Sequence, residues 1–114
     1  MNNYRQSTAK ALGLKNWNVI IDDIVIYDSD DGNNFIWWQP DKDGIQMIQV
    51  WEWLKGQKGI ELDIEFNPED GWIFTIREYM VSSDKALYIS EKNNSLFTAT
   101  ERAFLEYIKQ NDHV

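Results

Sequence analysis

Residues 60–66, Ile-Glu-Leu-Asp-Ile-Glu-Phe, alternate apolar and acidic side chains without a break. Successive strand residues point to opposite faces, so this period of two predicts a strand with one apolar and one acidic face. Asn67-Pro68-Glu69-Asp70-Gly71 is turn chemistry. Residues 72–79 then return with Trp72, Phe74 and Ile76 on one parity. A hairpin that sets Phe66 opposite Trp72 sets Ile64 opposite Phe74, Leu62 opposite Ile76 and Glu61 opposite Arg77. A slip of one residue would drive Glu61, Asp63 and Glu65 into the core, so the register is strongly specified.

The other elements follow from weaker signals. Residues 4–14 read as a short helix stopped by Gly13, with Arg5 and Lys10 turned largely to solvent. Residues 18–28 are rich in Val, Ile and Tyr and read as one strand, bent or bulged where Asp22-Asp23 interrupts it. After turn residues 29–34, residues 35–39 form a second strand ended by Pro40. Asp43 and Gln46 have capping-box spacing at the head of a helix reaching Gly56. Met47, Val50, Trp51 and Leu54 make its buried stripe, Ile48 extends it, and Trp53 lies off it, partly exposed. Residues 80–85 read as a loop, residues 86–90 as a last strand, and 92–95 as a turn. Thr98 and Glu101 repeat the capping-box spacing before a final helix to about Gln110. Ala103, Phe104, Tyr107 and Ile108 form its apolar stripe, flanked by Ala99 and Leu105. The expected fold is α+β: a compact α/β sandwich with an antiparallel-rich sheet of about five strands packed by about three helices, in the order α-β-β-α-β-β-β-α. At 114 residues the chain is expected to form a single domain, 1–114.

Composition removes several function classes. There is no Cys, and the one His is His113, which leaves no thiolate chemistry and no His-based metal or catalytic site. Residues 1–20 hold Arg5, Lys10 and Lys15 and no acid, while the remainder holds eight basic and nineteen acidic side chains. A net charge of −8 disfavours direct binding to nucleic-acid phosphates and suits either solubility or a partner with a basic surface. No apolar run reaches the length of a membrane span, and the N-terminus lacks the apolar core of a signal peptide. The expected compartment is the cytoplasm of a bacterial host cell, with no membrane contact.

Few residue sets could carry chemistry. Glu61, Asp63 and Glu65 project from one strand face at intervals of about 7 Å. Acid–base catalysis by such a row needs burial of one carboxyl, and a row beside Arg77 on a hairpin is expected to be solvated. Ile73, Thr75 and Tyr79 share that face, and an apolar-plus-acidic strip suits docking of a protein. The loop Asp28–Asn34 fails the EF-hand pattern: its fifth position is Gly32 and its twelfth is Gln39. Six Trp (Trp17, Trp37, Trp38, Trp51, Trp53 and Trp72) are many for one small core. Core use accounts for most of them, and Trp38 or Trp53 is the candidate interface anchor. No catalytic residue, metal site or cofactor is expected.

Ala11-Leu12-Gly13-Leu14 followed by Trp17, then Trp37-Trp38-Gln39-Pro40 before the Asp43 helix, form a recognisable series. Gly71-Trp72 opening a strand and Thr98-Ala99-Thr100-Glu101-Arg102-Ala103-Phe104-Leu105 opening the last helix continue it. Over residues 5–110 the series resembles the phage ABA sandwich family of small bacteriophage and prophage proteins. The resemblance implies a phage or prophage origin and an α/β sandwich, and brings no catalytic residues. The acids at 61, 63 and 65 depart from a sheet covered on both faces, and fit a two-layer variant better. The expected function is a non-catalytic protein-binding module of phage type, such as a host-takeover or anti-defence inhibitor. The alternatives are an immunity protein that neutralises a basic toxin, and a small-ligand-binding or enzymatic domain using carboxylates and Trp. A homodimer is compatible with each.

Overall fold

The first helix, α1 (Asn3–Ala11), buries Tyr4, Arg5, Thr8 and Ala9, a stripe at helical spacing. It ends in a Schellman motif. Gly13 takes φ +65°, the Gly13 N–H reaches the Lys10 carbonyl at 3.1 Å, and the Leu14 N–H reaches the Ala9 carbonyl at 3.1 Å. Lys10 is exposed, as expected. Arg5 is not, because Asp41 supplies the carboxylate that lets a guanidinium leave water.

The computed structural model describes residues 3–14, 17–20, 23–27, 35–78 and 87–111. The chain divides into two compact units, Met1–Val50 and Trp51–Val114. In the first, β1 (Trp17–Ile20), β2 (Asp23–Tyr27) and β3 (Phe35–Trp38) form an antiparallel sheet in that order. Trp17 stands opposite Ile26, Ile20 opposite Asp23, and Ile24 opposite Trp38. The single strand expected over 18–28 is therefore a pair of antiparallel strands. Two neighbouring acids would put one on each face of a continuous strand, and the pairing ends on one side at Ile20 and resumes at Asp23.

Beyond Pro40, Asp43 caps α2 (Gly44–Lys55): its Oδ1 accepts the Gln46 N–H at 3.0 Å. Gln46 does not complete the box. Its amide is buried, accepts the Gln39 N–H at 2.6 Å and donates to the Trp37 carbonyl at 2.9 Å, fastening the end of β3 to the start of α2. Met47, Val50 and Leu54 are buried as the stripe predicts, whereas Ile48 is exposed.

The second unit holds β4 (Ile60–Asn67), β5 (Gly71–Glu78) and β6 (Tyr88–Asn93) in an antiparallel sheet of that order, followed by α3 (Leu96–Asn111). The register is the one the alternation specifies: Phe66 with Trp72, Ile64 with Phe74, Leu62 with Ile76, Glu61 with Arg77. Gly71, at φ +80°, closes the hairpin where a Cβ would come within 2.8 Å of the Asn93 carbonyl oxygen. Helix α3 packs on β5 and β6. Its buried residues Ala99, Thr100, Ala103, Phe104 and Tyr107 belong to the same core as Phe74, Ile76 and Ile89. Each such large apolar side chain contributes about 1.5–3 kcal/mol on burial. The helix starts earlier than its Thr98 spacing suggests. Ser95 is the cap, its Oγ accepting the Thr98 N–H at 3.3 Å, and the Asn93 side chain holds the Ser95 N–H at 2.9 Å.

The protein is thus α+β, with three helices and six described strands in two three-stranded sheets rather than one sheet of about five. The extra strand comes from the 18–28 segment. Among the described residues, no helix is long and apolar enough to cross a membrane.

Candidate functional site

Beta pairing arranges one face of the second sheet as three cross-strand rows. Glu61, Arg77 and Tyr88 form the first, Asp63, Thr75 and Ser90 the second, and Glu65, Ile73 and Lys92 the third. The opposite parity carries Phe74, Ile76 and Ile89 into the core. Asp63, Glu65, Tyr88, Ser90 and Lys92 are exposed, Glu61, Ile73 and Arg77 are half-buried, and only Thr75, in the middle of the central strand, is buried. The face is open.

Its charge is graded across the sheet. The carboxylates line the β4 edge, and the two cations lie toward β5 and β6. Arg77 donates from Nη2 to Glu61 Oε1 at 2.8 Å. That hydrogen bond, with the charge of Glu61 and then of Asp63, raises the Arg77 pKa further above its usual value. Thr75 and Ser90 hydroxyls meet at 3.2 Å, and Lys92 Nζ lies 3.8 Å from Asp70 Oδ2. Glu65 and Asp63 thus face water at the rim, while the third acid is held by Arg77. Among the described residues, no group of three or more metal-ligating side chains comes together.

The structure brings six of the nine expected site residues onto this face: Glu61, Asp63, Glu65, Ile73, Thr75 and Arg77. Tyr79 lies outside the described residues. Trp38 is not an interface residue. It is 1% exposed, and its indole N–H donates to Thr8 Oγ1 at 2.9 Å, which satisfies its polar atom inside the core of the first unit. Trp53 is half-buried as expected, but its ring packs on Phe104 and Tyr107 of α3, with centroids 5.7 and 6.1 Å away. That places it with the core-side helix and away from the open face. The loop Asp28–Asn34 also lies outside the described residues.

Sequence reasoning missed the β6 column of Tyr88, Ser90 and Lys92. The signal is present but faint: these three alternate with Ile89 and Glu91, and Ile89 is the only apolar residue of the inward set. The strand runs on to Asn93, past the Ser90 end that the sequence predicts, and so includes Lys92.

No family model, no curated protein and no solved structure matches the chain.

Proposed function

We propose that this chain is a non-catalytic protein-binding module whose docking surface is the open face of the β4-β5-β6 sheet, and that its partner presents a basic surface. One observation carries the reading: Asp63 and Glu65 stand exposed beside Glu61 along one edge of a sheet face that also offers the half-buried Ile73 and the exposed Tyr88 as apolar contact. Acidic rims steer a basic partner, and apolar groups beside them supply contact area. The resemblance to phage ABA sandwich proteins gives the biology: a phage or prophage protein acting in the bacterial cytoplasm against a host or defence protein. An immunity protein facing a basic toxin would use the same face. A small-ligand or enzymatic reading is weaker, because Trp38 is spent inside the core of the first unit and Trp53 packs on α3, apart from the carboxylates of its own unit. Direct nucleic-acid binding is disfavoured by the acids at the rim.

The test is capture from bacterial lysate by the natural chain and by a Glu61→Lys, Asp63→Lys, Glu65→Lys variant shown by circular dichroism to be folded. The expected result is a protein held by the natural chain, released by raised salt and absent from the variant. The same protein held equally by both would overturn the face assignment.

A further inference from the structure

Among the described residues, the open face ends at a strand edge whose backbone is paired on one side only: β4 pairs with β5 alone. The direction of its free groups follows from one bond in the sheet. The Glu78 N–H donates to the Leu87 carbonyl at 3.1 Å. Hydrogen-bonded residues recur every second position in an antiparallel pair, so Ile76, Phe74 and Trp72 also turn their backbone groups to β6. Ile73, Thr75 and Arg77 then turn theirs to Glu65, Asp63 and Glu61 on β4. The N–H and carbonyl groups of Leu62, Ile64 and Phe66 are left pointing away from the sheet. Ile60 shares that phase, and its N–H donates outside the ladder, to the Gln57 carbonyl at 3.1 Å.

An edge of this kind is a template for another strand, and proteins blunt such edges with Pro, Lys, bulges or short length. Residues 60–67 are eight long with an unbroken ladder and contain neither Pro nor Lys. What they carry is the acid column. It opposes pairing with a second copy of β4, because any register that keeps like faces together sets carboxylate near carboxylate. It favours a strand of opposite charge. The other side of β4 offers Ile60, Leu62 and Ile64, all half-buried, and Phe66, which is 59% exposed with its ring 5.2 Å from Trp72.

We propose that the β4 edge accepts, as a fourth strand of this sheet, an extended segment with Lys or Arg at alternate positions and branched apolar residues between them. The basic side chains lie beside Glu61, Asp63 and Glu65, and the apolar ones beside Leu62, Ile64 and Phe66. Main-chain bonds hold the segment and the alternation selects it. This rests on the docking reading above and specifies its partner class.

The probe is an acetylated, amidated octapeptide of alternating lysine and valine, titrated against the full chain. In a segment that runs antiparallel to β4, as every described pair of this sheet does, opposed residues share a face and exchange both main-chain bonds, so the valines pair with Leu62, Ile64 and Phe66 and their N–H groups point at β4. N-methylation of the valines should therefore weaken binding by roughly tenfold to a hundredfold, and N-methylation of the lysines should leave it unchanged. Amide exchange at Leu62, Ile64 and Phe66 should slow on binding. The glutamate–valine counterpart should not bind, and the triple-lysine variant should lose the lysine peptide. Equal binding of both methylated peptides would overturn edge pairing while leaving charge-based docking on the face intact, as would concentration-dependent self-association that protects the same amides without peptide. Failure of the unmethylated lysine peptide to bind would also overturn it. The docking reading falls separately, if the triple-lysine variant keeps the partner captured by the natural chain.

Discussion

Each unit hands a tryptophan indole N–H to the hydroxyl of a helix threonine, but the two units treat charge in opposite ways. In the first, Trp38 donates to Thr8 at 2.9 Å, and in the second Trp51 donates to Thr100 at 3.1 Å. Thr8 is itself satisfied, lying 2.8 Å from the Tyr4 carbonyl to which it donates. The ion pairs differ. Arg5 grips Asp41 through two bonds, 2.8 and 3.1 Å, with side chains only 10% and 15% exposed. Arg77 and Glu61 share a single 2.8 Å bond with side chains 42% and 39% exposed. The first pair ties α1 to the turn before α2 and is structural. The second is a surface pair on a face left open, and its removal changes what the face attracts more than how it folds.

The sharpest way to break this comparison is to remove one carboxylate from each pair. Asp41→Ala removes one carboxylate and both of its hydrogen bonds from a buried guanidinium and should cost about 3 kcal/mol of folding stability. Glu61→Ala should move a urea midpoint far less, and added salt should shrink its effect further. Urea titrations of both variants at low and high salt decide it. Equal losses would mean that burial does not separate the two pairs.

The next effect compares two glycines with left-handed backbone. Gly71→Ala adds both conformational strain and a Cβ within 2.8 Å of the Asn93 carbonyl and 2.9 Å of Asn94 Oδ1. The Asn93 contact is backbone, so the ladder must shift, at a cost of about 2–3 kcal/mol. Gly13→Ala, at φ +65° with nothing within 4 Å, should cost only the backbone term, about 1 kcal/mol. Thermal denaturation of the two variants side by side gives the difference. A smaller pair of effects tests the indole bonds. Trp38→Phe should cost about 2 kcal/mol, because it removes volume and a donor from a fully buried site. Trp51→Phe, at a half-buried site, should cost about 1 kcal/mol.

The same contrast explains what could be read in advance. The β4–β5 register was legible in full, because three acids alternating with four apolar residues make any slip bury charge. The stripe of Met47, Val50 and Leu54 was legible for the same reason, with a different period. The β1–β2 pair was not. Asp22-Asp23 signals an interruption but fits a bulge as well as a reversal, and no Gly or Asn marks a turn there. Trp37 and Trp38 are neighbours on a strand, so alternation says that they face opposite ways and not which one is inside. That is decided by Thr8, thirty residues away. Arg5 was misplaced because Asp41, its partner, is 36 residues distant. The start of α3 was displaced because Ser95 and Thr98 are both good caps, and the choice depends on Asn93 holding the Ser95 N–H. For the site, the acid column and Arg77 beside it are visible in the sequence and the Lys92 column beyond them is not, so the sequence shows the β4 and β5 columns of the face and not the cation on β6.

The smallest expected effect lies at Tyr107, where the second unit buries a titratable group on its core side. Burial raises the Tyr107 phenol above its ordinary value, a hydrogen bond with Asn111 pulls it back, and the charge of Glu78 adds to the rise. A phenol whose folded pKa exceeds its unfolded one keeps its proton longer in the native state. Its contribution is fully present below the unfolded value near pH 10 and is lost as pH rises through the folded one. The natural chain should therefore lose stability more steeply than a Tyr107→Phe variant as pH rises above the unfolded value of about 10 and through the raised folded one. Urea midpoints across that window measure the two slopes. The difference isolates one residue because the other four tyrosines remain in both chains. Parallel slopes would show that the phenol ionises freely in the folded protein, and would place the Tyr107 hydroxyl in water rather than at the boundary of the core that Trp53 and Phe104 close around it.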